Sequence, residues 1–227
     1  MKKDWRYERK FTIEDLTFDQ VEDSILENTY LFSEIFHGRQ VNNIYFDDIN
    51  YSAYHSNIEG LSERKKYRVR WYGQLFGSVI DPVLEAKVRK SNLGTKFHFK
   101  INNFEIRQRF DSNSLMRNFI ESNLSENIIN ELSLLTPSLI NSYYRNYYLS
   151  KNGQYRVTID RNLSYYHVTP NINNVLTKND QKGIVVEVKY AVEDDESIDS
   201  ITNQFPFRLS RNSKYVKGFS IVNDLIY

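Results

Sequence analysis

The chain has 227 residues, 40% of them hydrophobic, and its 30 Lys and Arg nearly balance 29 Asp and Glu. That length suits one large domain with a real core, and a net charge of +1 excludes the global basicity of a typical nucleic-acid binder, so any polyanion site must be local. With no cysteine, disulfides, zinc–thiolate centres and cysteine nucleophiles are excluded.

The 17 tyrosines and 14 phenylalanines suit a β-rich protein. Mean hydropathy is −0.60. No apolar run reaches the length of a membrane span. The opening Met1-Lys2-Lys3-Asp4-Trp5 lacks the apolar core of a secretory signal. The expected location is therefore the cytoplasm.

In chain order, residues 5–13 read as a strand. A helix is expected over 14–36, with an apolar stripe of Leu16, Val21, Ile25, Leu31 and Ile35, stopped by His37-Gly38. A strand over 41–46 follows, and then a polar stretch with a mobile loop at 56–63. Residues 65–72 and 83–90 form a hairpin, with Gly73, Gly77 and Asp81-Pro82 as turn residues. Asn92-Leu93-Gly94 makes another turn before a strand over 96–101. Residues 112–135 read as two helices broken at 123–125, with Pro137 as punctuation. Strands recur at 142–150, 154–160, 164–168 and 183–190, and Lys151-Asn152-Gly153 is a hairpin turn. Residues 193–205 read as helical. The sum is about eight strands and three or four helices in one α+β domain spanning 1–227, an order-of-magnitude reading.

Five of these strands place charge on one face and apolar groups on the other, because successive side chains point to opposite sides. Arg6, Glu8 and Lys10 share a face, as do Lys66, Arg68 and Arg70; Glu85, Lys87 and Arg89; Arg156, Thr158 and Asp160; and Glu187 and Lys189. A half-solvated antiparallel sheet shows the same alternation. On the face of Lys66, Arg68 and Arg70, however, the charges are unmixed. Three cations in a row on one strand repel each other. Such a row makes sense if it awaits phosphate, which Arg grips in bidentate fashion and Lys binds as a point charge. If these faces line one barrel, its lumen is a basic tunnel with a few carboxylates. The aromatic residues flanking the cations fall on the opposite faces, so nucleobases would lack a stacking platform there.

Seven motifs in series resemble the VTC domain, the catalytic domain of the vacuolar transporter chaperone polyphosphate polymerases, within the triphosphate tunnel metalloenzyme (CYTH-like) group. They are Arg6-Tyr7-Glu8-Arg9-Lys10-Phe11, Ile44-Tyr45-Phe46-Asp47, Arg68-Val69-Arg70-Trp71-Tyr72-Gly73, Leu84-Glu85-Ala86-Lys87, Tyr155-Arg156-Val157-Thr158-Ile159-Asp160, Glu187-Val188-Lys189 and Ser213-Lys214-Tyr215. The resemblance implies an eight-stranded antiparallel β-barrel with helices packed outside. It implies substrate binding on Lys10, Arg68, Arg70, Lys87, Arg156, Ser213 and Lys214. Lys96 lies near another family lysine, in a register the sequence leaves open. Glu187 would hold Mn²⁺ or Mg²⁺, with Glu8 and Glu85 as further ligands. Together with Lys10, Arg68, Arg70, Lys87 and Arg156, Glu187 forms the implied catalytic set. Arg6 stands where the wider group carries a Glu, which favours the VTC branch.

The implied activity is polyphosphate synthesis from ATP. Hydrolysis of a triphosphate and capture of polyphosphate without turnover stand as alternatives, and the chemistry needs positioning and charge neutralisation in all three. No nucleic-acid partner is expected. Several residues have plainer roles. Glu85 would pair with Lys87 or a cross-strand cation, Glu187 with Lys189, and Asp160 would hold Arg156 or Arg161. Tyr54 and Tyr215 would contact phosphate or pack. The four histidines, Arg89, Lys90, Lys178, Lys182 and Lys217 read as loop or solvated positions.

Overall fold

A computed structural model describes residues 5–168 and 174–225. The opening Met1-Lys2-Lys3-Asp4 lies outside them. The described elements are β1 (Arg6–Ile13), α1 (Phe18–Leu26), β2 (Ser33–Asp47), α2 (Ser52–Ile58), β3 (Glu63–Tyr72), β4 (Gly77–Val79), β5 (Val83–Lys90), β6 (Leu93–Lys100), β7 (Phe104–Ile106), β8 (Arg109–Phe110), α3 (Ser112–Glu121), α4 (Glu126–Ser133), β9 (Thr136–Leu149), β10 (Arg156–His167), β11 (Asn174–Val175), β12 (Lys178–Gln181), β13 (Ile184–Ala191), α5 (Ile198–Thr202) and α6 (Lys214–Val222).

Eight strands close a ring in the order β1-β6-β5-β3-β2-β9-β10-β13, every neighbouring pair antiparallel. A ring of about eight strands encloses a space that side chains can fill. The seam is between β1 and β6, which share only the Arg6–Gly94 pair. β12 adds to the far end of β10. No helix among the described residues is long and apolar enough to cross a membrane.

The period-2 pattern fixes which side is buried beneath helices. On β3, Tyr67, Val69 and Trp71 are no more than 4% exposed, and they pack outward with Leu84, Leu115 and Phe119 beneath α3 and α4. On the opposite side of the ring, Phe11, Val157, Ile159, Val186 and Val188 meet Val21 and Ile25 of α1 and Ile198 and Ile201 of α5. Each such buried side chain contributes roughly 1.5–3 kcal/mol. A third cluster is different, because it joins Tyr45, Tyr143 and Val185, which share strand faces with the tunnel charges, to Tyr215 and Phe219 of α6. α6 therefore closes one end of the ring. Gly218 permits this: a Cβ there would overlap the Tyr165 ring.

Several expected boundaries move. α1 ends at Leu26, and Ile35, His37 and Gly38 lie inside β2. Thr17 and Gln20 form a capping box that starts α1, but Leu31 adopts a left-handed φ of 51° that breaks any continuation. Gly38 is not a helix stop; its lack of a side chain admits the ring of Tyr144. Of the loop expected at 56–63, residues 59–62 do connect two elements, while 56–58 end α2 and Glu63 starts β3. α2 is pinned by Asp47, whose carboxylate accepts from the Ala53 and Tyr54 amides at 2.9 and 3.0 Å. Leu93 and Gly94 belong to β6, and Pro137 sits within β9. The two strands expected over 154–168 are one, β10, irregular between Arg161 and Ser164. The break between α3 and α4, the β3–β5 pairing and the Gly153 turn fall where expected.

Candidate functional site

The inward faces of the ring bring charge together in three groups. In the first, β3 and β5 place Arg68 directly opposite Glu85. Arg68 Nε donates to Glu85 Oε2 at 2.7 Å. Arg70 Nη1 lies 3.2 Å from Glu85 Oε1, and Arg70 Nε donates to Asn43 at 3.1 Å. Lys96 and His98 of β6 stand 3.6 and 3.5 Å from the same carboxylate. Burial raises the Glu85 pKa, but Arg68 and Arg70 hold it well below the usual carboxylate range.

The second group crosses the seam. Lys10 pairs in register with Glu187, its Nζ 3.1 Å from Glu187 and 3.5 Å from Glu8. Lys87 donates to Glu8 at 3.0 and 3.2 Å, tying β5 to β1 where backbone pairing is lacking. Lys189 donates to Glu187 at 2.6 Å. Burial works against ionisation of Glu8, yet Lys87 and Lys10 bring its pKa down to about 2, against an opposing push from the neighbouring Glu187.

The third group was not foreseen. Arg145 of β9 grips Asp160 of β10 with two hydrogen bonds, at 2.5 and 2.7 Å. Lys214, at the start of α6, pairs with the same carboxylate, whose side chain is 0% exposed. Arg145 Nη2 also lies 3.9 Å from Glu187, joining this group to the second. Asp160 thus holds Arg145 and Lys214 rather than Arg156 or Arg161; Arg161 instead stacks on Phe18, 4.1 Å from its centroid. The pattern Tyr143-x-Arg145-x-Tyr147 carried the signal, since it puts a cation between two inward aromatics.

Of the residues expected in the site, Lys10, Arg68, Arg70, Lys87, Lys96, Glu8, Glu85, Glu187 and Lys214 meet in these groups. Arg156 is exposed at the start of β10, level with Lys189. Ser213 is the N-cap of α6, its hydroxyl accepting from the Val216 amide. Tyr215 donates to Asp47 at 2.6 Å and stacks on Tyr45, and Tyr54 is likewise buried, so both pack. Glu85 pairs with Arg68, Arg70 and Lys96 rather than with Lys87. Glu8 and Glu187 share Lys10, whereas Glu85 belongs to the group on β3, β5 and β6. Among the described residues no three His, Asp or Glu side chains form a metal-binding cluster. Glu8 and Glu187 still offer two hard oxygen donors side by side, which fits a Mg²⁺ or Mn²⁺ ion completed by phosphate and water.

Lys66 stands apart. It forms no ion pair among the described residues, and its ammonium lies 5.1 Å from the Tyr215 ring. Burial, helped by Lys87, Arg64 and Lys10, pushes its pKa down to about 7. Counted with it, nine lumen cations (Lys10, Lys66, Arg68, Arg70, Lys87, Lys96, Arg145, Lys189 and Lys214) face five carboxylates (Glu8, Asp47, Glu85, Asp160 and Glu187) among the described residues, a surplus of four. Nor are the cation faces free of aromatics. Tyr72 follows Arg70 on the same face and lines the tunnel mouth with it.

Known proteins bear on this geometry. The family described as VTC domain matches residues 5–223. No curated protein sequence matches the chain. Among solved structures, a Vibrio parahaemolyticus protein provisionally described as an adenylate cyclase is 11% identical, with a TM-score of 0.53 over 93% of this chain and 97% of its own. A protein of Pyrococcus horikoshii OT3 is 13% identical, with a TM-score of 0.51 over 93% and 97%. A Hippeastrum protein, provisionally described as an adenylyl cyclase with a dominant triphosphatase activity, is 10% identical, with a TM-score of 0.50 over 98% and 97%. At these identities the likeness establishes the fold.

Proposed function

The chain belongs to the VTC domain family, and on that premise we propose that its tunnel is the site of a metal-dependent phosphotransferase acting on triphosphate or polyphosphate, with ATP as donor and polyphosphate as product. The observation that carries this reading is the surplus of positive charge facing one lumen, nine cations against five carboxylates among the described residues. Like charges held this close favour a linear polyanion threading between them. Arg68 and Arg70 present their guanidinium groups to phosphate oxygens, displacing Glu85 in part. Lys10, Lys87, Lys96, Arg145 and Lys214 spread over the neighbouring phosphates. Lys66, which forms no ion pair among the described residues, regains its full charge against phosphate.

Glu8 and Glu187 would hold the divalent ion, which when bound neutralises charge on the transferring phosphoryl group. Against burial, Lys87 and Lys10 keep Glu8 ionised, and Lys189 and Lys10 do the same for Glu187, leaving both ready for the ion. Hydrolysis is a second reading, favoured by the triphosphatase activity described for the Hippeastrum protein of the same fold. The two differ in the nucleophile, a phosphate chain end or water. Incubation of the purified protein with ATP and Mn²⁺, following ADP, free phosphate and long-chain polyphosphate, separates them. Polyphosphate appearing with ADP is the expected result. Free phosphate alone would replace synthesis by hydrolysis, and no product of either kind would refute an enzymatic role.

A further inference from the structure

One mouth of the tunnel carries features that phosphate binding does not use. A cavity of about 390 Å³ opens there, lined by Arg70, Tyr72, Val83, Glu85, His98 and Lys100, within the roughly 300–1,000 Å³ typical of small-molecule sites. Its inner wall is the Arg70–Glu85 pair of the first charged group. Its outer wall is Tyr72, which is 45% exposed despite its size.

Tyr72 is held from one side. The Arg39 guanidinium sits over its ring, 4.3 Å from the centroid, and over Tyr147 at 4.9 Å and Phe36 at 5.6 Å. Arg39 Nε is buried without a hydrogen-bond partner among the described residues, so aromatic faces are what hold this group. Phe36 meets Tyr147 edge-on with centroids 6.0 Å apart and is itself 55% exposed. The result is a propped aromatic platform two residues along the strand from a phosphate-facing arginine. Contiguous exposed aromatic surface rimmed by polar residues marks binding grooves.

We propose that this mouth binds the base of a nucleoside triphosphate, stacked on the open face of Tyr72, while its phosphates run inward past Arg70. His98 and Lys100 are exposed on the opposite lip and supply donors to the sugar and to the first phosphate. Nucleobases stack on single aromatic side chains with little sequence preference, which makes the site tolerant of base identity. Arg39 is a positioning residue, acting through Tyr72.

The inference rests on the triphosphate reading of the tunnel, and the two are separable by comparing ATP with inorganic tripolyphosphate. Affinities of both for the wild type and for Tyr72→Ala are measured by calorimetry. The expected result is a loss of about tenfold in ATP affinity for Tyr72→Ala, with tripolyphosphate affinity changed less than twofold, which also shows that the variant is folded. Tyr72→Phe, which keeps the ring, is expected to bind ATP as the wild type does. An equal loss for both ligands, or no loss for ATP, overturns the base site and leaves the tunnel reading standing. Failure of the wild type to bind tripolyphosphate overturns both.

Discussion

Lys66 offers the sharpest quantitative consequence of the tunnel. Burial and the neighbouring Lys87, Arg64 and Lys10 bring its pKa down from 10.5 to about 7 in the free protein. Phosphate oxygens beside it would oppose these influences with negative charge, so its pKa in the complex returns toward the ordinary lysine value. Between those two limits, binding takes up a proton. Affinity for tripolyphosphate should then fall about tenfold per pH unit through this group alone, or about 100-fold from pH 7.5 to 9.5. Calorimetry at pH 8.5 in two buffers of different ionisation heat counts the protons directly. Lys87 and Lys96 are also lowered, so the wild type takes up one proton or more. Lys66→Met should take up about one fewer. Equal proton uptake by the two proteins would refute the assignment of Lys66 to the phosphate path. The sign for stability is opposite to that for binding: because the folded chain releases the Lys66 proton before the unfolded chain does, stability from this group rises between pH 7 and 10.5.

Two further outcomes follow from the carboxylates. Asp160→Ala leaves buried Arg145 and Lys214 without their shared partner and should cost about 3–5 kcal/mol, lowering Tm by on the order of 10 °C in a thermal melt, with part of the loss restored by tripolyphosphate. Arg145 and Lys214 hold the Asp160 pKa at about 2 against burial, from an ordinary 3.8, so the stability it confers is complete above about pH 4 and is lost as pH falls through 2. Glu187→Gln should leave tripolyphosphate affinity within a few-fold of wild type yet stop Mn²⁺-dependent turnover of ATP; unchanged turnover would remove Glu187 from the metal role.

The inward charges were legible because strands β1, β3, β5, β10 and β13 alternate a charged face with a mostly apolar one, with Arg9, Glu63 and Lys65 among the charged exceptions on the outward side. Arg145 was harder to see because β9 is aromatic on both faces, with Tyr144 and Tyr148 outward and Tyr143 and Tyr147 inward, so its alternation carries no charge contrast. The end of α1 was misread because Leu31 and Ile35 happen to continue the helical spacing of Leu16, Val21 and Ile25, while the left-handed turn at Leu31 leaves no trace in hydrophobicity. Which cation meets which carboxylate depends on register between strands far apart in the chain. That is why Asp160 was matched with nearby Arg156 or Arg161 rather than with Arg145 and with Lys214 on α6. The aromatic mouth was hidden for a related reason: Arg39 reaches Tyr72 because Tyr72 pairs with Val41, two residues along β2 from Arg39, and that register joins strands distant in the chain.

The claim on which the rest depends is that the lumen cations bind a triphosphate chain, and direct titration of the protein with inorganic tripolyphosphate tests it. The wild type is expected to bind one chain per molecule, with affinity falling as salt is raised, and an Arg68→Ala, Arg70→Ala double variant with an unchanged circular dichroism spectrum is expected to show no measurable binding. Retention of wild-type affinity by that double variant would contradict the account.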